Sequence, residues 1–329
     1  MCIRDRRVAD SVKELQREFS GNSFHLHTYM GVYEIRDRDE AVSIMVDKAN
    51  IAADTIKNNY DCCVAYYDEH LLEISIEQRR LLGEFEPALQ KGEFVMYLQP
   101  QVNRDGAAKG AEALVRWAHP SRGILTPYAF IDILENAGLI YKLDLYIWEK
   151  AAQKLAEWKE KGYGSYHISV NISTKDFYII DIYETFTGLI NKYGIVASNL
   201  HLEITETTLM TDFEKNMNII HKLQDVGFRV EIDDFGSGYS SLNMLKDISA
   251  DVLKIDMGFL RKSENEVKGQ DILESIITLA GKIGMDVITE GVETKKQLDM
   301  LTMMGCHEFQ GYYFSKPVPV SEFEEKYLV

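Results

Sequence analysis

Acidic side chains recur at matching places in successive apolar runs of this sequence: Glu112 in GAEALVRW, Glu203 and Glu206 in LHLEITE, Asp233 and Asp234 in FRVEIDDF, Glu290 and Glu293 in DVITEGVE. Asn171 in HISVNIS, Lys254 in DVLKID and Gln310 in HEFQG stand at similar positions. Successive side chains of a strand point to opposite faces. Glu112, Leu114 and Arg116 therefore share a face opposite Ala111, Ala113 and Val115, and Ser169 and Asn171 oppose Ile168, Val170 and Ile172. Arg229, Glu231 and Asp233 likewise oppose Phe228, Val230 and Ile232. The apolar set packs under outer helices, which sends the charged set inward. A single strand carboxylate is more often solvated or salt-bridged than a ligand. Charges directed inward from many strands are different, because each buried unpaired charge costs about several kcal/mol. Seven such acids, counting Glu112, Glu203, Glu206, Asp233, Asp234, Glu290 and Glu293, face Lys254 and Arg116. The deficit of about five is largely cancelled by two divalent cations. Carboxylate and amide oxygens without clustered histidines suit Mg²⁺ or Mn²⁺ better than Zn²⁺.

Strands must hold these residues in place. The candidates are FVMYLQP from Phe94, GAEALVRW from Gly110, HISVNIS from His167, LHLEITE from Leu200, FRVEIDDF from Phe228, DVLKID from Asp251, DVITEG from Asp286 and HEFQG from His307. Helical patterns separate most of them. TPYAFIDILENAG opens on Thr126 as an N-cap with Pro127 at the first helical position, and TDFEKNMNIIHKLQDVG stops at Gly227. Eight strand signals in roughly 240 residues predict a TIM-like (β/α)8 barrel, with Asn171, Glu203, Asp233, Asp234, Lys254, Glu290 and Gln310 at the strand ends where barrel enzymes do chemistry. The N-terminal part differs. YMGVYEI reads as a strand and EAVSIMVDKANIAADTIKNN as an amphipathic helix, giving a partial α+β segment over residues 1–70. A charged, periodic stretch from Leu71 onward predicts a connecting helix over 71–83, and the barrel domain takes 84–329.

Composition narrows the partners. With 46% hydrophobic residues the 329-residue chain can bury a full core, and its net charge of −16 argues against a surface for nucleic acid polymers or anionic lipid. A small phosphate-bearing ligand requires bridging cations here. Cys2, Cys62, Cys63 and Cys306 show neither metal spacing nor a disulfide framework, as expected of reduced thiols in a cytoplasmic protein. There is no apolar run long enough to span a bilayer and no signal peptide. The eight histidines carry no His-Glu-x-x-His pattern, and His119 before Pro120 reads as structural. Gly236-Ser237-Gly238 reads as a tight turn after a strand.

From about Glu84 onward the chain resembles the EAL-domain cyclic di-GMP phosphodiesterases. The motifs are EALVRW at Glu112–Trp117, NIS at Asn171, EITE at Glu203–Glu206, DDFGSGYSSL at Asp233–Leu242, KID at Lys254–Asp256, EGVE at Glu290–Glu293 and QGYYFSKP at Gln310–Pro317. The resemblance implies that Glu112, Asn171, Glu203 and Asp233 bind a first metal and that Asp233 and Asp234 help hold a second. It implies Glu290 as general base or as orienter of the attacking water, Lys254 as a hydrogen-bond donor to that water, and Glu206 as a brace for the loop after Asp234. Gln99, Leu114, Arg116, Glu293 and Gln310 fall at positions expected to contact the ligand. The implied reaction is hydrolysis of cyclic di-GMP to pGpG with two Mg²⁺ or Mn²⁺ ions, in a homodimer formed through the barrel. A catalytically silent receptor is the competing reading, although none of the family's ligands is lost. Leu98 and Gln101, on either side of Gln99-Pro100, depart from the aromatic and aliphatic residues common there. HTYMGVYEI, the helix around Ala49–Lys57 and VAYYD resemble the second half of a GGDEF domain without its signature loop. The opening MCIRDR fits neither family and reads as a cloning or assembly remnant on a chain that begins inside a domain, with a sensor expected upstream.

Overall fold

The computed structural model describes residues 29–57, 63–235, 248–256, 258 and 266–328. MCIRDR, Cys2, Cys62 and the segment of DDFGSGYSSL after Phe235, including Gly236-Ser237-Gly238, lie outside them. Two units divide the chain, one up to Phe85 and one from Glu86. In the first, β1 (Met30–Val32) and β2 (Val64–Tyr66) pair in parallel, with Met30 opposite Val64. A parallel pair needs a crossover, and the helix Val42–Asp54 lies between the two strands in the sequence. The helix approaches Gly31 so closely that a Cβ there would stand 1.7 Å from the Ala49 carbonyl oxygen. Glu69–Lys91 follows as one continuous helix.

The second unit closes a sheet on itself, which leaves no open edge in the ring. Its eight strands are β3 (Phe94–Val102), β4 (Ala108–His119), β6 (His167–Ile172), β7 (Leu200–Thr205), β8 (Arg229–Phe235), β9 (Val252–Asp256), β10 (Asp286–Glu290) and β11 (Glu308–Phe309). Two short strands, β5 (Gly123–Leu125) and β12 (Val318–Pro319), pair outside the ring with β4 and β3.

The ring is the TIM-like barrel expected, with one departure from the (β/α)8 pattern: β3 runs antiparallel to both its ring neighbours, β4 and β11. The cause is local. Only Asn103–Ala107 separates β3 from β4, far short of the dozen residues that a parallel crossover takes. The Asn103 side chain accepts from the Asp105 and Ala107 amides, and Gly106 takes φ 83°. The other seven strands are parallel.

The outward faces of the strands are apolar and covered by helices, as the alternation demands. Ile168, Val170, Leu202, Ile204, Val230 and Ile232 are all buried. On the helix Ile140–Glu160, Leu143, Ile147, Trp148, Ala151, Leu155 and Trp158 share the buried side, spaced for one helical face. The TPYAFIDILENAG segment is a 3₁₀ turn, Pro127–Ala129, and then a short helix, Ile131–Asn136. Thr126 takes the cap position without a side-chain hydrogen bond. The helix Phe213–Val226 stops at Gly227, with φ 106°. Among the described residues Cys63 and Cys306 form no disulfide, and no helix is long and apolar enough to cross a membrane.

Candidate active site

Register brings the polar residues together. Asn171 is opposite Glu203, Thr205 opposite Asp233, and Ile288 opposite Lys254, so their neighbours on the inner face meet near one end of the barrel. Lys254 is the centre of the group. Its side chain is fully buried, and Nζ lies 2.6 Å from Glu290 Oε1, 2.9 Å from Glu203 Oε1, 3.2 Å from Asp233 Oδ1 and 3.6 Å from Glu112 Oε2.

One ammonium among four carboxylates leaves the cluster short of positive charge. Burial, followed by the neighbouring Glu112, raises Glu203 well above the usual carboxylate range. Burial, with Asp233 and Glu112 adding to it against the pull of Lys254, pushes Glu290 up to about 8. Burial alone pulls Lys254 down, but the surrounding carboxylates outweigh it and hold it well above its ordinary value. The approaches to Lys254 are ion pairs. Glu203 Oε1, Asp233 Oδ1 and Glu290 Oε1 share this single ammonium, and Glu203 Oε2 is buried without a hydrogen-bond partner among the described residues. Buried polar atoms are nearly always paired. Convergent oxygen acceptors with an excess of negative charge over one ammonium fit a hard divalent cation held by Glu112, Asn171, Glu203 and Asp233.

Positioning is visible around Glu112. Its Oε1 accepts from Asn171 Nδ2 at 3.2 Å and its Oε2 from Gln310 Nε2 at 2.5 Å, while Gln310 Nε2 also reaches Gln99 Oε1 at 3.3 Å. Gln99 and Gln310, expected at the ligand, thus stand directly against a carboxylate of the cluster. Gly311 sets Gln310 in place by close backbone approach, since a Cβ there would lie 2.2 Å from the Val292 carbonyl oxygen and 2.4 Å from its nitrogen. Backbone atoms cannot swing aside. Gly311→Ala is expected to lose about 1–3 kcal/mol of stability by overpacking, measured by urea unfolding.

Asp234 has φ 56°, the one positive φ at a non-glycine residue among those described. The β8–β9 register shifts between Ile232 and Phe235, so a bulge carries the Asp233-Asp234 pair and re-aims it. Burial, and then Asp233 and Asp256, raise the Asp234 carboxyl. Such strain costs about 1–3 kcal/mol and concentrates at functional sites. Asp256, at the end of β9 and opposite Glu290, is a member of this acidic group to which sequence reasoning gave no role. Its place at the C-terminal end of a strand was the available signal.

The remaining candidates stand apart from the carboxylates. Arg116 donates to the Val115 carbonyl oxygen and lies over the Tyr97 ring, 5.5 Å from its centroid. Leu114 lines an apolar pocket of about 290 Å³ with Trp148, Asn171 and Thr205. Glu206 is buried at the start of the helix Glu206–Thr211, and the loop it was expected to brace lies outside the described residues. Glu293 is exposed, just ahead of a capping box formed by Thr294 and Gln297.

Known proteins share this architecture. The profile of the EAL domain matches residues 83–317. The bifunctional diguanylate cyclase/cyclic di-GMP phosphodiesterase MucR of Pseudomonas aeruginosa is 32% identical over 272 residues, covering 82% of this chain and 39% of that protein. The cyclic di-GMP phosphodiesterase PdeR of Escherichia coli is 32% identical over 240 residues, 73% of this chain and 36% of that protein. The solved PaMucR phosphodiesterase in complex with c-di-GMP superposes with a TM-score of 0.70 at 33% identity, covering 74% of this chain and 99% of that one. The chain spans 33–45% of the length of its first curated relatives. A profile match over most of the chain, on a barrel whose inner acids converge, places it in the EAL domain family.

Proposed function

We propose that this chain is a divalent-cation-dependent phosphodiesterase that hydrolyses cyclic di-GMP to 5′-pGpG. The observation that carries this reading is the set of four carboxylates converging on the single ammonium of Lys254 at the C-terminal ends of the strands. Kinship to cyclic di-GMP phosphodiesterases supports the substrate.

Glu112, Asn171, Glu203 and Asp233 hold a first cation, and Asp233 and Asp234 help hold a second, with Mg²⁺ or Mn²⁺ favoured by the all-oxygen donor set. When bound, these cations acidify water and screen the phosphodiester charge. Glu290 takes the proton of the attacking water as its oxygen bonds to phosphorus. One phosphorus–oxygen bond breaks in line, and the departing sugar oxygen collects a proton to give the linear dinucleotide. Lys254, held against Glu290, fixes that carboxylate and offsets developing negative charge. Gln99 and Gln310 keep Glu112 in register, and with Leu114, Arg116 and Glu293 they face the ligand. Glu206 supports the loop that follows Asp234.

Assembly as a homodimer through the barrel, the division into 1–70, 71–83 and 84–329, and the GGDEF-like nature of the first segment rest on the sequence resemblance. Chromatography of products after incubation with cyclic di-GMP and Mg²⁺, beside EDTA and Glu112→Ala controls, tests the activity. pGpG is expected in the first reaction alone. Bound but intact nucleotide in all three makes the chain a receptor instead.

A further inference from the structure

The histidines show no zinc spacing in the sequence, yet the fold gathers two of them. His167, His201 and Glu231 come from adjacent strands β6, β7 and β8, point into the barrel and are buried, and each offers a ligand atom within 4.8 Å of the others. They precede Asn171, Glu203 and Asp233 by two to four residues on their own strands, and Glu231 is the register partner of Glu203, so they form the tier that adjoins the carboxylates on the N-terminal side of the strands.

Their hydrogen bonds are arranged as those of metal ligands are. His201 Nε2 lies 3.1 Å from the Ser198 carbonyl oxygen, which can only accept, so Nε2 carries the hydrogen. The remaining nitrogen, Nδ1, then meets Glu231 Oε1 at 2.5 Å. Two acceptors cannot approach so closely unless a cation, either a proton or a metal, lies with them. His167 Nε2 meets Gln101 Oε1 at 2.7 Å, which leaves its Nδ1 as lone pair. Ligating histidines characteristically donate their second nitrogen to a carbonyl or carboxylate oxygen.

Three further features favour an ion. Glu231 Oε2 is buried without a partner. The flanking cations are engaged elsewhere, Lys109 with Glu308 and Arg229 with Asp286 at 2.5 Å. A cavity of about 590 Å³, lined by these pairs and by all three cluster residues, gives a path from solvent.

We propose that this end of the barrel is a second metal site, taking a Zn²⁺-class transition-metal ion on His167, His201 and Glu231. Two imidazoles and a carboxylate with one open position form a known zinc donor set, and imidazole selects such ions over Mg²⁺. The two rings now stack in parallel, 3.9 Å apart between centroids. Bonds of about 2.0–2.2 Å require His167 to tilt out of that stack toward Glu231.

The test uses Co²⁺ and Zn²⁺ alone as probes on the whole chain, stripped with chelator and held in excess Mg²⁺. One equivalent of Co²⁺ with the visible absorption of a tetrahedral nitrogen/oxygen site is expected. After a Zn²⁺ soak, an anomalous peak is expected between the three residues. Glu112→Ala retains the Co²⁺ band, and His201→Gln loses it while keeping its circular dichroism. Absence of the band from the unmodified protein means a shared proton and overturns the proposal. An equal band in folded His201→Gln, or an anomalous peak confined to the carboxylates, overturns it too. If His201→Gln does not fold, the anomalous map of the unmodified protein decides. None of these readouts involves turnover, so the phosphodiesterase reading stands or falls separately.

Discussion

Lys254→Met, studied without divalent cations, is expected to lose about 3–5 kcal/mol of stability, the usual cost of removing one partner from a buried ion pair. Methionine fills similar space, so the loss isolates charge. Glu112, Glu203, Asp233 and Glu290 would keep their burial and lose the ammonium that compensates them. The deficit should shrink as pH falls and the carboxyls accept protons, and it should shrink when Mg²⁺ is added. Urea unfolding of both proteins with EDTA and with Mg²⁺ reads this directly. Equal stability in EDTA would mean that Lys254 is not the countercharge of the site.

Glu290→Gln should lower kcat by about 10²–10⁴-fold, the range for a general acid–base group. Affinity for cyclic di-GMP, measured by calorimetry with Ca²⁺ in place of Mg²⁺, should change little. Unchanged turnover would assign the proton transfer to another group. The same carboxyl gives a pH signature in the cation-free protein, where burial first and the neighbouring acids next raise it from 4.5 to about 8. Because the folded state holds a proton that the unfolded chain has released, this contribution to stability is complete below pH 4.5 and disappears as pH rises through 8. The change is on the order of a few kcal/mol. Glu290→Gln should flatten that slope between pH 5 and 8.5, and a slope identical to the parent's would assign the proton uptake elsewhere.

Much of the barrel was readable because strand alternation is a two-residue rule that burial enforces. The inward placement of Glu112, Ser169 and Glu231 follows from it, and these residues are buried as expected. The antiparallel β3 was missed although Asn103-Arg104-Asp105-Gly106 is a turn signal; eight strand signals add up to a barrel whatever the direction of any one of them. The positive φ of Asp234 was not legible, since a bulge is a relation between two strands and β9 is distant in sequence. The histidine tier was missed for a similar reason. Metal spacing is sought along one segment, whereas His167, His201 and Glu231 meet only through the register of three strands. Asp256 was quoted inside a motif and given no role, because one more acid among many carries little information until its neighbours are known.

The reversed first strand also bears on how the protein is made. Closing the ring pairs Val102 with Phe309, and β12 outside it pairs Val318 with Leu98, contacts separated by more than two hundred residues of chain. Loop closure over such separations is slow and comes late in folding. Gln310 reaches Glu112 from the far side of that seam. During synthesis, then, the ribosome must release residues 308–319 before Glu112 has its full set of partners. A nascent chain carries most of the acids long before it has a site, and the complete cluster arrives together with the last seam of the barrel.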